Sequence, residues 1–120
     1  MSLRSYLILA LLGMAVLVVL AAAFQTAPGY MDAEYYFSGG RQLASGQGFN
    51  EPFLWNYLDD PQGLPHPSHA YWMPLASILA AAGLVLGGTA DFAAGRWIFI
   101  LVAACLPPLS AALSYRLNQR

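Results

Sequence analysis

Two carboxylates one residue apart, Asp32 and Glu34, stand among Tyr30, Met31, Tyr35, Tyr36 and Phe37. Aromatic neighbours strip water from a carboxylate and raise its proton affinity, which is how a general base is tuned toward neutral pH. The same two residues also suit a structural role, with Asp32 as the N-cap of a helix and Glu34 against its positive end. Two imidazoles follow in Pro65-His66-Pro67-Ser68-His69, a spacing that lets both approach one metal ion or one phosphate. No third ligand stands at a fixed distance from them, as a zinc-type site requires. Arg41 and Arg96 are cations able to meet a lipid phosphate, and Arg96 also suits anchoring the end of a membrane helix. Asp59-Asp60-Pro61 reads as a solvated turn. Cys105, the single cysteine, lies in an apolar run, which excludes an intrachain disulfide and a thiol-rich metal site.

The elements that must position these residues belong to a membrane protein. The 120 residues are 58% hydrophobic and 9% charged, with no lysine, far from the quarter-charged composition of a soluble domain. A net charge of −1 without a clustered basic face argues against nucleic acid as a partner. Two runs, Tyr6 to Phe24 and Trp97 to Tyr115, carry no charge over the ~20 residues that about 30 Å of hydrocarbon demands. Pro107-Pro108 should kink the second run without forbidding it. A third apolar stretch, Met73 to Gly88, would reach only about 24 Å as a helix, and Gly83, Gly87 and Gly88 weaken it. It reads as a re-entrant or interfacial helix.

Charge placement agrees with two spans. Arg4 precedes the first run and Arg116 and Arg120 follow the last, so two spans put all three on the cytoplasmic side. The loop from residue 25 to 91 then lies on the non-cytoplasmic side. Ala21-Ala22-Ala23 after the first run also fits a signal-peptide cleavage site, but the length of the run favours a retained anchor, and the loop faces outward in both cases.

Five of the six acidic residues and both histidines lie between Gln25 and Trp72. Pro28-Gly29 marks a turn; after it the spacing predicts a helix over Ala33 to Ala44 with Asp32 as N-cap, stopped by Gly46 and Gly48. The pair Gly39-Gly40 would cost a free helix about 2 kcal/mol, so this helix should be pressed against another helix or a substrate chain. Residues 50 to 72 show no sustained period and four prolines, and read as loop. Phe53, Trp55, Tyr57, Tyr71 and Trp72 suit the lipid headgroup layer.

One span, then Asp32-Ala33-Glu34-Tyr35-Tyr36, then Gly40-Arg41-Gln42-Leu43-Ala44-Ser45-Gly46-Gln47-Gly48-Phe49, a proline-histidine stretch from Pro65 to Pro74, an apolar helix ending in Gly87-Gly88, and Phe92-Ala93-Ala94-Gly95-Arg96 opening the next span: this order resembles the N-terminal part of the GT-C membrane glycosyltransferases, the relatives of protein O-mannosyltransferases and lipid A aminoarabinose transferases. The resemblance implies an enzyme that takes a sugar from a polyprenyl-phosphate donor on the outer leaflet and transfers it to an acceptor hydroxyl. It also implies a first outer loop with a catalytic carboxylate and two juxtamembrane helices, here Ala33 to Ala44 and Met73 to Leu86. Many members have adjacent Asp and Glu, whereas Ala33 separates them here; Asp32 is the favoured base, with Glu34 assisting or holding a divalent cation. Arg41, His66, His69 and Arg96 would bind substrate. Members usually have many more spans, so the chain is expected to be an N-terminal segment of such an enzyme.

The expectation is therefore an all-α, multi-pass protein of the cell membrane. Residues 1–24 form a first transmembrane helix, 25–72 an outer loop with the first juxtamembrane helix, 73–91 a second juxtamembrane or re-entrant helix, and 92–120 a second transmembrane helix with its cytoplasmic end. Two rivals stand beside the enzyme: a small non-enzymatic membrane assembly or interaction subunit whose aromatic loop docks a partner, and an exported protein anchored by its second span.

Overall fold

The computed structural model describes residues 2–54 and 60–118, so Trp55, Tyr57, Asp59 and Arg120 lie outside the described residues. The chain is mostly helical and divides into two compact units, one of residues 27–96 and one of residues 1–26 with 97–120.

The terminal unit holds α1 (Leu3–Phe24), most of α4 (Phe92–Ala104) and α5 (Leu106–Asn118). Ser2 caps α1, its hydroxyl accepting from the Ser5 N–H at 3.3 Å. At 22 residues α1 is about 33 Å long. Together α4 and α5 cover Phe92–Asn118, and both stretches are long and apolar enough to cross a membrane. Ala21, Ile100 and Ala104 are buried, but many of the larger apolar side chains face outward: Leu7, Leu11, Val16, Leu101, Leu109 and Leu113 are all exposed. Apolar surface on that scale is uncommon on a water-facing helix and is what hydrocarbon solvates. The second stretch breaks at Cys105, just before Pro107-Pro108. Both prolines then fall in the first turn of α5, where a missing N–H costs little. Gly13 of α1 lies where a Cβ would sit 3.0 Å from the Pro107 ring, so α1 and α5 approach closely there.

The unit of residues 27–96 is built on α2 (Met31–Ala44) and α3 (Leu75–Gly87). Tyr30, with extended backbone, is the N-cap of α2, and its carbonyl accepts the Ala33 N–H at 2.9 Å. That corrects the expected start: Gly29, at φ +95°, turns the chain early, so Asp32 sits inside the first turn and does not cap it. Gly39 and Gly40 are both buried, and α3 fills the space their missing side chains leave. A Cβ on Gly40 would stand 2.7 Å from the Ala80 Cβ and 3.1 Å from the Ser77 carbonyl oxygen. Gly83 does the same for the first turn of α4, 2.5 Å from the Ala94 carbonyl oxygen. Glycine costs about 1 kcal/mol each in a helix, and here the return is contact between backbones that no other residue allows.

Tyr36 and Gly39 meet Ser77, and Gly40 meets Ala80 and Ala81, so α2 and α3 run in the same direction. Parallel neighbours need a long crossover, and residues 45–74 supply it. Within it Asn50–Glu51 (β1) pairs antiparallel with His66–Pro67 (β2), Glu51 opposite His66. This short ladder lies in a stretch expected to be loop throughout, because two-residue strands leave no periodic signal. The core is small: Phe37, Ala80, Leu84 and Ala94, with Ala44 and Phe92 against it.

Both helices end on a left-handed glycine. At the end of α2 the Gln47 N–H reaches the Gln42 carbonyl and the Gly46 N–H that of Leu43; at the end of α3 Thr89 reaches Leu84 and Gly88 reaches Val85. These are Schellman pairs, which satisfy carbonyls a helix end otherwise leaves open. The outer face of α3, Leu75, Ile78, Val85 and Leu86, is exposed and wholly apolar.

Candidate functional site

Successive residues of a helix turn by about 100°, so Asp32 and Glu34 stand roughly 160° apart around α2. The two carboxylates do not share a face, and each belongs to a different side of the unit. Both are exposed.

Asp32 lies within about 40° of Tyr36 and Gly39 around the axis, the side on which α2 meets His69 and Ser77. His69 is fixed there by three hydrogen bonds. The Ser77 hydroxyl donates to the Tyr36 carbonyl at 2.9 Å, so its lone pair is what faces His69 Nε2, also at 2.9 Å. That requires a proton on Nε2, and the neutral ring then accepts the Ser68 hydroxyl at Nδ1, at 2.6 Å. The backbone N–H of His69 donates to the Tyr35 hydroxyl at 2.7 Å, with His69 itself at φ 63°. The rings of Tyr35, Tyr36 and Phe49 surround the imidazole, with centroids 5.3, 6.4 and 5.4 Å away. Burial lowers the pKa of His69 and favours the neutral ring. Ser77 is fully buried and its proton is committed to a carbonyl, so the Ser77-His69 contact is a strut and not a nucleophile with its base.

The tyrosine at the centre of this network links it to a residue that sequence reasoning assigned no role. Tyr35 is 4% exposed and its hydroxyl is bonded to the Glu51 carboxylate. Its pKa is raised, chiefly by burial and further by the charge of Glu51, against the lowering effect of the His69 N–H. Glu51 is itself buried, and its Oε1 lies 3.3 Å from His66 Nδ1 across the ladder. His66 and His69 are thus engaged in different contacts, one with Glu51 and the other with Ser77 and Ser68. Among the described residues no three His, Cys, Asp or Glu side chains converge as a metal site would need. The available signal for Glu51 was weak: a carboxylate in an aromatic-rich stretch, with no partner visible by spacing.

Glu34 lies on the other side of α2, in a stripe with Ser38 and Arg41. The Ser38 hydroxyl is 3.4 Å from Glu34 Oε1. This stripe runs into a cleft of about 690 Å³ at the C-terminal ends of α2 and α3. Ser38, Arg41, Gln42 and Ser45 form its polar wall, Phe53, Leu84 and Val85 its apolar one, and Thr89 closes it. Arg96 is elsewhere: its guanidinium carbon lies 5.7 Å above the ring of Phe92. Asp60 forms a turn, accepting the Gln62 N–H at 2.9 Å. Tyr71 is almost fully exposed and Trp72 partly so, as headgroup-layer aromatics would be.

Comparison with protein-family models, curated proteins and solved structures returns no match. The functional reading rests on the residues and their geometry.

Proposed function

We propose that this chain is the N-terminal segment of a membrane glycosyltransferase of the GT-C kind, with residues 25–91 on the non-cytoplasmic side and Asp32 as the base that activates the acceptor. The observation that supports it best is the position of Asp32: exposed, in the first turn of a helix that directly follows a membrane-length helix, on the side where His69 is held. In the reaction an acceptor hydroxyl gives its proton to Asp32 as its oxygen bonds to the anomeric carbon. The bond from that carbon to the phosphate oxygen breaks, and the polyprenyl phosphate leaves with the electron pair, inverting the centre. Phosphate is already a good leaving group, so the protein's task is to raise the nucleophilicity of the acceptor and hold the two substrates in line.

In this reading α2 and α3 are the juxtamembrane helices. The apolar outer face of α3 supports that placement, since a helix of 13 residues, about 20 Å, is too short to cross but can lie in the interface. His69 is a positioning residue that fixes α2 through Ser77 and Tyr36.

The test is sugar transfer from a polyprenyl-phosphate donor by membranes containing the complete enzyme of which this chain is the segment. Asp32→Asn should lower turnover by about 100-fold or more while donor binding persists, and Glu34→Gln should cost less. Tyr30, not Asp32, is the cap, so loss of the cap cannot account for such a result. Turnover by Asp32→Asn within a few-fold of the parent would remove the assignment.

A further inference from the structure

We propose that the exposed stripe of α2 pairs with the same stripe of a second copy of this chain, antiparallel across a two-fold axis at Ser38, so that Glu34 of each copy meets Arg41 of the other. The surface is distinct from the Asp32 side, which lies roughly 160° from Glu34 around α2.

Glu34, Ser38, Arg41 and Ser45 fall within about 60° of one another around the helix, and all four are exposed or half-buried. Glu34 and Arg41 stand about 10.5 Å apart along the axis, too far to pair within one helix. Neither enters an ion pair among the described residues. Ser38 lies close to midway between them. A half-turn about Ser38 therefore carries each charge onto its opposite, the self-complementarity that an isologous interface requires. The small side chain at the axis lets the two helices approach closely.

The same half-turn brings Met31 of one copy level with Ser45 of the other, since both lie two turns from Ser38. Met31 is 52% exposed and Tyr30 before it 83%. Ser45 lines the cleft at the C-terminal ends of α2 and α3, beside the apolar wall of Phe53, Leu84 and Val85. An exposed methionine thus faces an apolar cleft, and symmetry makes the contact twice. Exposed ion pairs add little affinity. They set register and orientation, while burial of Met31 supplies the binding. Two copies in one membrane share its orientation, so their two-fold axis runs along the membrane normal. Helices paired antiparallel across that axis lie along the membrane surface, and the inference rests on the juxtamembrane placement of α2 proposed above.

The experiment measures the monomer–dimer equilibrium of the full chain in detergent by sedimentation, with oxidative cross-linking of single cysteines in a Cys105→Ala background as a second readout. The parent should dimerise. Ser38→Cys, on the axis, should form a disulfide-linked dimer, whereas Ala33→Cys, exposed about 140° away around α2, should not. Glu34→Arg and Arg41→Glu should each weaken the dimer by about tenfold or more, because like charges then meet twice. The double variant, with the two charges exchanged, should return to within about threefold of the parent, which a general loss of fold could not do. Met31→Ser should weaken the dimer by roughly tenfold. A monomeric parent, equal cross-linking at positions 38 and 33, or a double variant no better than the single ones would overturn the proposal. Asp32→Asn should dimerise as the parent does. Loss of transfer without loss of the dimer separates the failure of one proposal from that of the other.

Discussion

The Nε2–H of His69 points at Ser77 Oγ across 2.9 Å, and the Ser77 hydroxyl donates in turn to the carbonyl of Tyr36. One buried hydroxyl therefore joins the crossover, α3 and the backbone of α2. Ser77→Ala would remove the bridge and strand the imidazole N–H, while the Tyr36 carbonyl keeps the bond it accepts within α2. A stranded donor costs about 1–3 kcal/mol, more than the small gain in helix propensity returns. Urea unfolding of the variant in detergent should show a loss of about 2 kcal/mol; a loss below about 0.5 kcal/mol would mean that the bridge carries little of the stability.

The same relationship sets a pH dependence. Burial lowers the His69 pKa below its ordinary 6.5, so between that value and the lowered one the unfolded chain binds a proton that the fold refuses. Stability from this group is complete above about pH 6.5 and falls as the solution is acidified through the lowered pKa. Tyr35 acts at the other end: its raised pKa means that the unfolded chain ionises first, so stability falls as pH climbs past 10.0. His69→Asn is the informative variant, since asparagine tolerates the positive φ of 63° and does not titrate. Its thermal midpoint should be lower throughout and flatter between pH 7 and 5 than the parent's, checked by calorimetry in matched buffers; an unchanged slope would assign the acid sensitivity to another group.

The glycine pair makes a prediction opposite to propensity. Leucine is about 1 kcal/mol better than glycine in a free helix, yet at position 40 its Cβ would meet Ala80 Cβ at 2.7 Å and the Ser77 and Ala81 backbone at 3.1 and 3.2 Å. Backbone cannot swing aside as a side chain can. Gly40→Leu should therefore lose at least about 2 kcal/mol by separating α2 from α3, and Gly40→Ala somewhat less. A higher melting temperature in either variant would show that the helices do not need this approach.

Much of this arrangement was legible in the residues. Uncharged runs located the long helices, and the cost of Gly39-Gly40 called for a close neighbour, which α3 provides. The start of α2 was displaced because Asp32 is the better capping type, while the turn at Gly29 brings Tyr30 into the cap position. The partner of α2 within the network was not legible, since Tyr35 meets His69 across 34 positions and no local period encodes such a contact. Asp32 and Glu34 look like a pair in the sequence; only placing them on a helix sends them to different sides. His66 and His69 likewise look like a pair, and the ladder separates them by giving His66 to Glu51.

The final prediction concerns which side of the membrane the α2–α3 unit occupies. Arginine collects on cytoplasmic ends, and the arginines near the two ends of the chain, Arg4, Arg116 and Arg120, share one side only if the chain crosses twice. The structure has two helices of sufficient length, and α3 at 13 residues spans about 20 Å, short of the hydrocarbon by about 10 Å. Two crossings place Gln62 outside and Asn118 inside. Single cysteines at these positions, in a Cys105→Ala background, report that directly; the alanine is tolerable because Cys105 is exposed. In intact cells a membrane-impermeant maleimide should label Gln62→Cys and spare Asn118→Cys until the membrane is opened. Labelling of Asn118→Cys from outside would mean a third crossing. That crossing could only be α3, and its exposed apolar face would then belong inside the bilayer instead of along its surface.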